Sequence, residues 1–194
     1  MSMVLLTVFS VRCSGVQPKS GGMPKVINGE AGSLLRPAKV LPAFQLTDHR
    51  GELFNNDSLK GGWSLLFMGF TSCGHLCPPT LYKMSLIAEQ SVEPLKIVFI
   101  SVDPGRDSIE TLGAYIPQYG DTAVAATGSS EQLDAIVGGF GATWKVIDEP
   151  GNYDVEHSPA VYLVDPEGRF AGIFSPPLNA EKMLTDINGY IGSE

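Results

Sequence analysis

Two continuous apolar runs, "WSLLFMGF" (Trp63–Phe70) and "KIVFISVD" (Lys96–Asp103), constrain this chain more than any other feature. Neither run alternates, so each reads as a strand covered on both faces, which is the habit of strands in sheets with helices on either side. Between them, "TLYKMSLIAEQ" carries apolar residues at Leu81, Met84 and Leu86–Ile87, a helical spacing. A strand, a helix and a second buried strand thus follow one another. The pattern continues with a helix in "RDSIETLGAYIPQYG", where Asp107 and Glu110 are spaced for a capping box. A strand in "TAVAATG", a helix in "SSEQLDAIVGGFG", a hairpin in "AVYLVDPEGRFAGIF" turning at "DPEG", and a closing helix in "NAEKMLTDINGYI" follow. Upstream, "AFQLT" and the turn-like "DHRG" predict an N-terminal β-hairpin extension. The order specifies an α/β layered fold with a central mixed sheet flanked by helices, and no internal repeat.

A chain of 194 residues with 43% hydrophobic content suits one domain with a sizeable core plus a tail. Its net charge of −8 provides no basic stripe for phosphates, which excludes nucleic-acid binding as a primary role. Residues 1–40 are expected to be an export signal or anchor followed by a flexible tether, with the folded domain at 41–194. The apolar run Met3–Val11 is too short to span a bilayer but is similar to the core of an export signal, with Cys13 at its end as a lipid-attachment candidate. Ser14–Val40 is rich in Gly, Ser, Pro and Lys without a sustained period.

The chemistry concentrates in "FTSCGHLCPPT". Cys73 and Cys77 follow the first buried strand and precede a helix, where open α/β sheets place their sites. Pro78 and Pro79 fit the first helical turn, and thiols beside a helix N-terminus are biased toward thiolate. Thiolate is both the nucleophile of disulfide exchange and a soft metal ligand, so position alone leaves a redox pair and a metal site open. Three intervening residues rather than two fit a loop around an ion. Structural zinc needs four ligands, and there is no second cysteine pair. Copper(I) accepts two thiolates and an imidazole. Three histidines are available: His49 in a turn, His75 between the cysteines, and His157 just before a strand.

Three stretches, "FMGFTSCGHLCPPTL", "ISVDPGRDS" and "VEHSPAVYLVDPEGRF", resemble in order and spacing the motifs of the Sco/SenC family, over about Leu41 to Ile191. These are copper-binding thioredoxin-like proteins of cytochrome c oxidase assembly. The resemblance implies a thioredoxin-like fold and a copper ion held by Cys73, Cys77 and His157. The family's conserved aspartate falls on Asp103, which by itself reads as a turn cap. Two jobs are implied: a metallochaperone for the copper A centre, or a thiol–disulfide reductase in which Cys73 and Cys77 are the catalytic redox pair. The partners implied are the copper-bearing oxidase subunit and other copper chaperones or thiol reductases. The place implied is the bacterial periplasm, tethered to the inner membrane, or the mitochondrial inner membrane facing the intermembrane space. Gly74 and His75 stand where the family commonly has proline and an acidic residue, which makes His75 a competing ligand candidate. The thioredoxin-like resemblance also predicts a cis bond at Ser158–Pro159, aiming His157 at the thiols.

Overall fold

Every residue of the first apolar run is buried, and its side chains alternate between two separate cores. In the computed structural model, which describes residues 23–193, this strand is β5 (Trp63–Gly69). Leu65 and Phe67 enter one core, Leu66 and Met68 the other. A strand covered on both faces has no polar side to present, hence its unbroken apolar sequence.

The other elements are the strands β1 (Lys25–Asn28), β2 (Gly32–Lys39), β3 (Gln45–Asp48) and β4 (Leu53–Asn55), then the helix α1 (Cys77–Gln90) and strand β6 (Leu95–Ser101). They continue with α2 (Ile109–Tyr115), β7 (Val124–Thr127), α3 (Ser130–Gly139), β8 (Trp144–Glu149) and β9 (Asn152–His157). The chain closes with β10 (Val161–Val164), β11 (Phe170–Phe174) and α4 (Ala180–Ile191). A nine-stranded sheet runs β1-β2-β11-β10-β5-β6-β7-β3-β4. Its centre, β5-β6-β7, is parallel, as the two crossover helices require, and β10 pairs antiparallel with β5. Helices α1, α2 and α4 cover one face through Leu81, Leu112 and Ile187. Helix α3 and the β8–β9 hairpin cover the other through Leu133, Ile136 and Val155.

The expected hairpin after residue 41 is β3–β4, and "DPEG" makes the β10–β11 turn. In that turn the Asp165 carboxylate accepts N–H bonds from Glu167 and Arg169, and Gly168 takes the left-handed conformation (φ 76°) that favours glycine.

Three expectations need correction. Residues 25–39 are not tether: β1 and β2 form a hairpin, and β2 pairs with β11 in the main sheet. Its turn is held from α4, where Asp186 accepts the backbone N–H groups of Glu30, Ala31 and Gly32 at 2.8, 2.8 and 3.1 Å. The apolar run Met3–Val11 and Cys13 lie outside the described residues. Asp107 does not cap α2; Ser108 does, accepting from Thr111 N–H, because the Asp107 carboxylate is occupied elsewhere. The β8–β9 hairpin, a separate two-stranded sheet, was unforeseen. Finally, the cis peptide bonds among the described residues are Arg36–Pro37 and Pro176–Pro177, and Ser158–Pro159 is not one of them. His157 is aimed by its place at the end of β9 instead.

Candidate metal centre

Parallel strands β5 and β6 end side by side, and Val102 N–H donates to Gly69 carbonyl there. The chain leaving β5 turns through Phe70–Leu76 into α1, so the two cysteines sit beyond the carboxyl ends of the central strands.

The start of α1 explains the thiol asymmetry. Leu76, its N-cap, makes no side-chain cap bond, and Pro78 and Pro79 have no N–H to satisfy. The remaining free N–H groups, of His75, Leu76 and Cys77, converge on the Cys73 sulfur. Burial alone would raise the Cys73 pKa, but a hydrogen bond from the Cys77 thiol and these three backbone donors outweigh it, and it falls below the ordinary thiol value. Cys73 is half-buried, so it is also the accessible member of the pair.

Cys77 is fully buried. Burial pushes its thiol far up, only partly offset by the Phe70 backbone N–H; the Cys73 sulfur and the Asp107 carboxylate add to the rise. Its sulfur rests on the backbone of Gly69, where a Cβ would come within 2.6 Å of Sγ. Glycine at the end of β5 is therefore what makes room for this thiol.

His157 comes from the opposite direction, at the end of β9. Its ring stands edge-on to those of Phe67 and Phe70, both at 5.9 Å between centroids. Nδ1 lies 3.2 Å from the Ser158 carbonyl, a bond that places the ring proton there and leaves Nε2 as the acceptor or ligand. Nε2 is 3.9 Å from Cys77 Sγ. Burial lowers the His157 pKa against the smaller opposing pull of Ser158 and Asp154, so the neutral imidazole is favoured. The ligating atoms of Cys73, Cys77 and His157 all lie within 4.8 Å of one another. Two sulfurs and a neutral imidazole nitrogen, all soft or borderline donors, suit a copper(I) ion better than a hard cation.

The other candidates separate. His75 is exposed and outside that group. His49 is a turn residue, as expected, but its ring is half-buried: Nδ1 accepts the Ala125 N–H of β7 at 3.3 Å. Asp103 is fully buried. Its carbonyl closes a turn with the N–H groups of Arg106 and Asp107, and its carboxylate accepts Arg106 Nε and, at 2.7 Å, the Tyr153 hydroxyl.

Three residues of the site escaped sequence reasoning. Gly69 and Tyr153 carry no motif of their own. Asp107, expected as a helix cap, instead accepts Thr71 N–H, Thr71 Oγ1 and Ser101 Oγ at 2.9, 2.6 and 2.6 Å, tying the cysteine loop to the end of β6.

A mixed sheet of this order with a dithiol at the β5–α1 junction defines a thioredoxin-like protein, here with an imidazole facing the thiols. The SCO1/SenC family profile matches residues 33–192. An SCO2-like protein of Rickettsia typhi is 34% identical over 152 residues, covering 75% of this chain and 75% of its own. The mitochondrial SCO2 homolog of Bos taurus is 32% identical over 157 residues, which are 77% of this chain and 59% of the bovine protein. This chain thus spans less than two thirds of the bovine relative. The crystal structure of Arabidopsis thaliana ScoI with copper bound superposes with a TM-score of 0.73 at 27% identity, covering 80% of this chain and 100% of that one. The chain belongs to the SCO1/SenC family.

Proposed function

We propose that this protein is a copper metallochaperone. Cys73, Cys77 and His157 take one copper(I) ion as cargo and pass it to the copper A centre of cytochrome c oxidase. The accessible Cys73 thiolate meets the ion first, and the buried Cys77 and His157 complete a dry three-donor site. The copper-bearing oxidase subunit is the acceptor, and another copper chaperone is the donor. The chain works outside the cytoplasm, in the periplasm tethered to the inner membrane or on the intermembrane face of the mitochondrial inner membrane.

His157 carries the distinction from a plain dithiol protein. Its Nε2 is directed at Cys77 Sγ and its ring proton is held on Nδ1, which donates to the Ser158 carbonyl, an arrangement that disulfide exchange does not require. Titrating the reduced protein with copper(I) is expected to give one ion per chain, with Cys73→Ser and His157→Ala each weakening it. If His157→Ala keeps full affinity and an unchanged spectrum, the three-donor site is wrong; if His75→Ala is the damaging change, the third ligand is His75.

A second reading, reductase toward the oxidase's copper-ligand cysteines, is favoured by the thiol asymmetry: a lowered, accessible Cys73 to attack and a buried Cys77 to resolve. Reduction of a disulfide in a peptide bearing those cysteines, abolished by Cys73→Ser but untouched by His157→Ala, would establish it. The two readings meet in one expectation. Oxidation to a Cys73–Cys77 disulfide consumes both thiolates and excludes copper, and unchanged copper binding after verified oxidation would rule that out.

A further inference from the structure

Among the described residues, His157 ends a strand that no ladder joins to the main sheet, since β8 and β9 pair there with each other alone. A two-stranded ribbon is marginal by itself, so something must hold it where the imidazole meets the thiols. Its inward face pairs Trp144 with His157, Val146 with Val155, and Asp148 with Tyr153. Val155 is buried in the core beneath α3; Tyr153, four residues before His157 on the same face, packs half-buried against that core and carries its hydroxyl past it.

The Tyr153 hydroxyl donates to Asp103 Oδ1 at 2.7 Å, on the loop that follows β6. Asp103 is fully buried, and Arg106 Nε donates to its other oxygen. The Arg106 guanidinium then lies 4.1 Å over the Tyr153 ring and 5.3 Å from the centre of the Phe70 ring. Phe70 in turn stands edge-on to His157. Contacts therefore run from His157 through Phe70, Arg106 and Tyr153 and return along β9 to His157. Gly105 lets this close: a Cβ there would meet the Tyr153 hydroxyl at 3.0 Å.

We propose that Tyr153 is a positioning residue for the third metal ligand: its hydroxyl on Asp103, covered by Arg106, clasps the hairpin so that His157 stays on the thiol pair. The proposal rests on the copper reading above. Without the hydroxyl, Asp103 Oδ1 loses its Tyr153 donor in a buried place and the hairpin must be ordered by the ion itself, which appears as weaker binding.

The test compares Tyr153→Phe and Gly105→Ala with the unmodified protein and with His157→Ala. Tyr153→Phe keeps the ring under Arg106; Gly105→Ala crowds the hydroxyl while leaving all three clasp side chains in place. Copper(I) affinity is measured by competition with a chromophoric chelator. Imidazole scattering is read in the copper X-ray absorption spectrum, and hydrogen exchange of the β8–β9 amides in the metal-free protein. Tyr153→Phe is expected to lose about tenfold in affinity, the usual scale for a residue that orients a ligand, and Gly105→Ala to lose affinity in the same direction. Both are expected to weaken the imidazole signature while sulfur coordination persists, and to exchange faster in β8–β9 without copper. Retention of affinity, imidazole signature and amide protection in both variants, with His157→Ala impaired, overturns the clasp alone. If His157→Ala is itself indifferent, the three-donor reading fails and the clasp with it.

Discussion

The bond set of Asp107 offers a sharp test of how the cysteine loop is held. Its carboxylate is 2% exposed and accepts three hydrogen bonds, two from Thr71, which is two residues before Cys73, and one from Ser101. Hydrogen bonds to a charged group contribute about 1.5–3 kcal/mol each, so three would sum to an upper bound well above the usual single-mutant range. One relieving effect lowers it: Thr71 is half-buried and its hydroxyl can turn to water. The Thr71 N–H is left without its carboxylate, and the expected loss for Asp107→Ala is about 4 kcal/mol, near the top of what one substitution costs. For a domain of this size that lowers Tm by about 8–16 °C. Thr71→Val, which removes one hydroxyl, should cost about 1–2 kcal/mol. Asp107→Asn keeps the shape of the side chain but removes the charge that all three donors address, so it should destabilise in the same direction. The assay is urea denaturation of the reduced, metal-free protein. If Asp107→Asn stays within about 0.5 kcal/mol, the range of an ordinary surface change, the loop is not held this way.

Gly69→Ala is expected to weaken copper(I) binding while the chain still folds, at an overpacking cost of about 1–3 kcal/mol, because its Cβ would claim the space of Cys77 Sγ; calorimetry with copper titration checks it. Copper affinity should fall with pH. The proton held by the raised Cys77 thiol must leave at neutral pH, giving about one decade per pH unit, and the plot should steepen below the lowered pKa of Cys73 and again below that of His157; a flat profile between pH 6 and 8, or roughly that window, would refute thiolate ligation. Asp186→Ala should cost about 3 kcal/mol and speed amide exchange at Glu30, Ala31 and Gly32 alone, since three N–H groups lose one carboxylate.

The centre of the fold was legible because burial on both sides of a strand leaves a continuous apolar run, and β5 and β6 have no other way to be covered. Helix α1 was legible for a similar reason: Leu81, Met84 and Ile87 fall on its buried face. What could not be read is held by distant contacts. The stretch "GSLLRPAK" has no strong pattern, yet it forms β2 because β11 pairs with it and α4 grips its turn from 154–156 residues away. The β8–β9 hairpin is a different case. Its inward residues Trp144, Val146, Tyr153, Val155 and His157 alternate as a strand pair should, around a "PGN" turn. Charged residues between them, Lys145, Asp154 and Glu156, disguised a half-buried ribbon as loop. The cis bond that the thioredoxin-like resemblance implied at Ser158–Pro159 is not needed to aim His157, because the end of β9 already does so.

The site was legible as chemistry but not as geometry. Two cysteines at a strand-to-helix junction announce thiolate, and the resemblance supplied His157, but nothing in "CGHLC" says that its two sulfurs differ. The difference arises because one thiol takes the place of a missing N-cap while the other is sunk against Gly69. A helix with Pro at its second and third positions leaves few free donors, and the loop directs those of His75, Leu76 and Cys77 to a single sulfur. That sulfur is both the better nucleophile and the accessible one, so the same backbone fits either proposed task, copper capture or disulfide attack. The imidazole fits the proposed copper site alone, and it is carried at the end of a hairpin that disulfide exchange by the two thiols does not need.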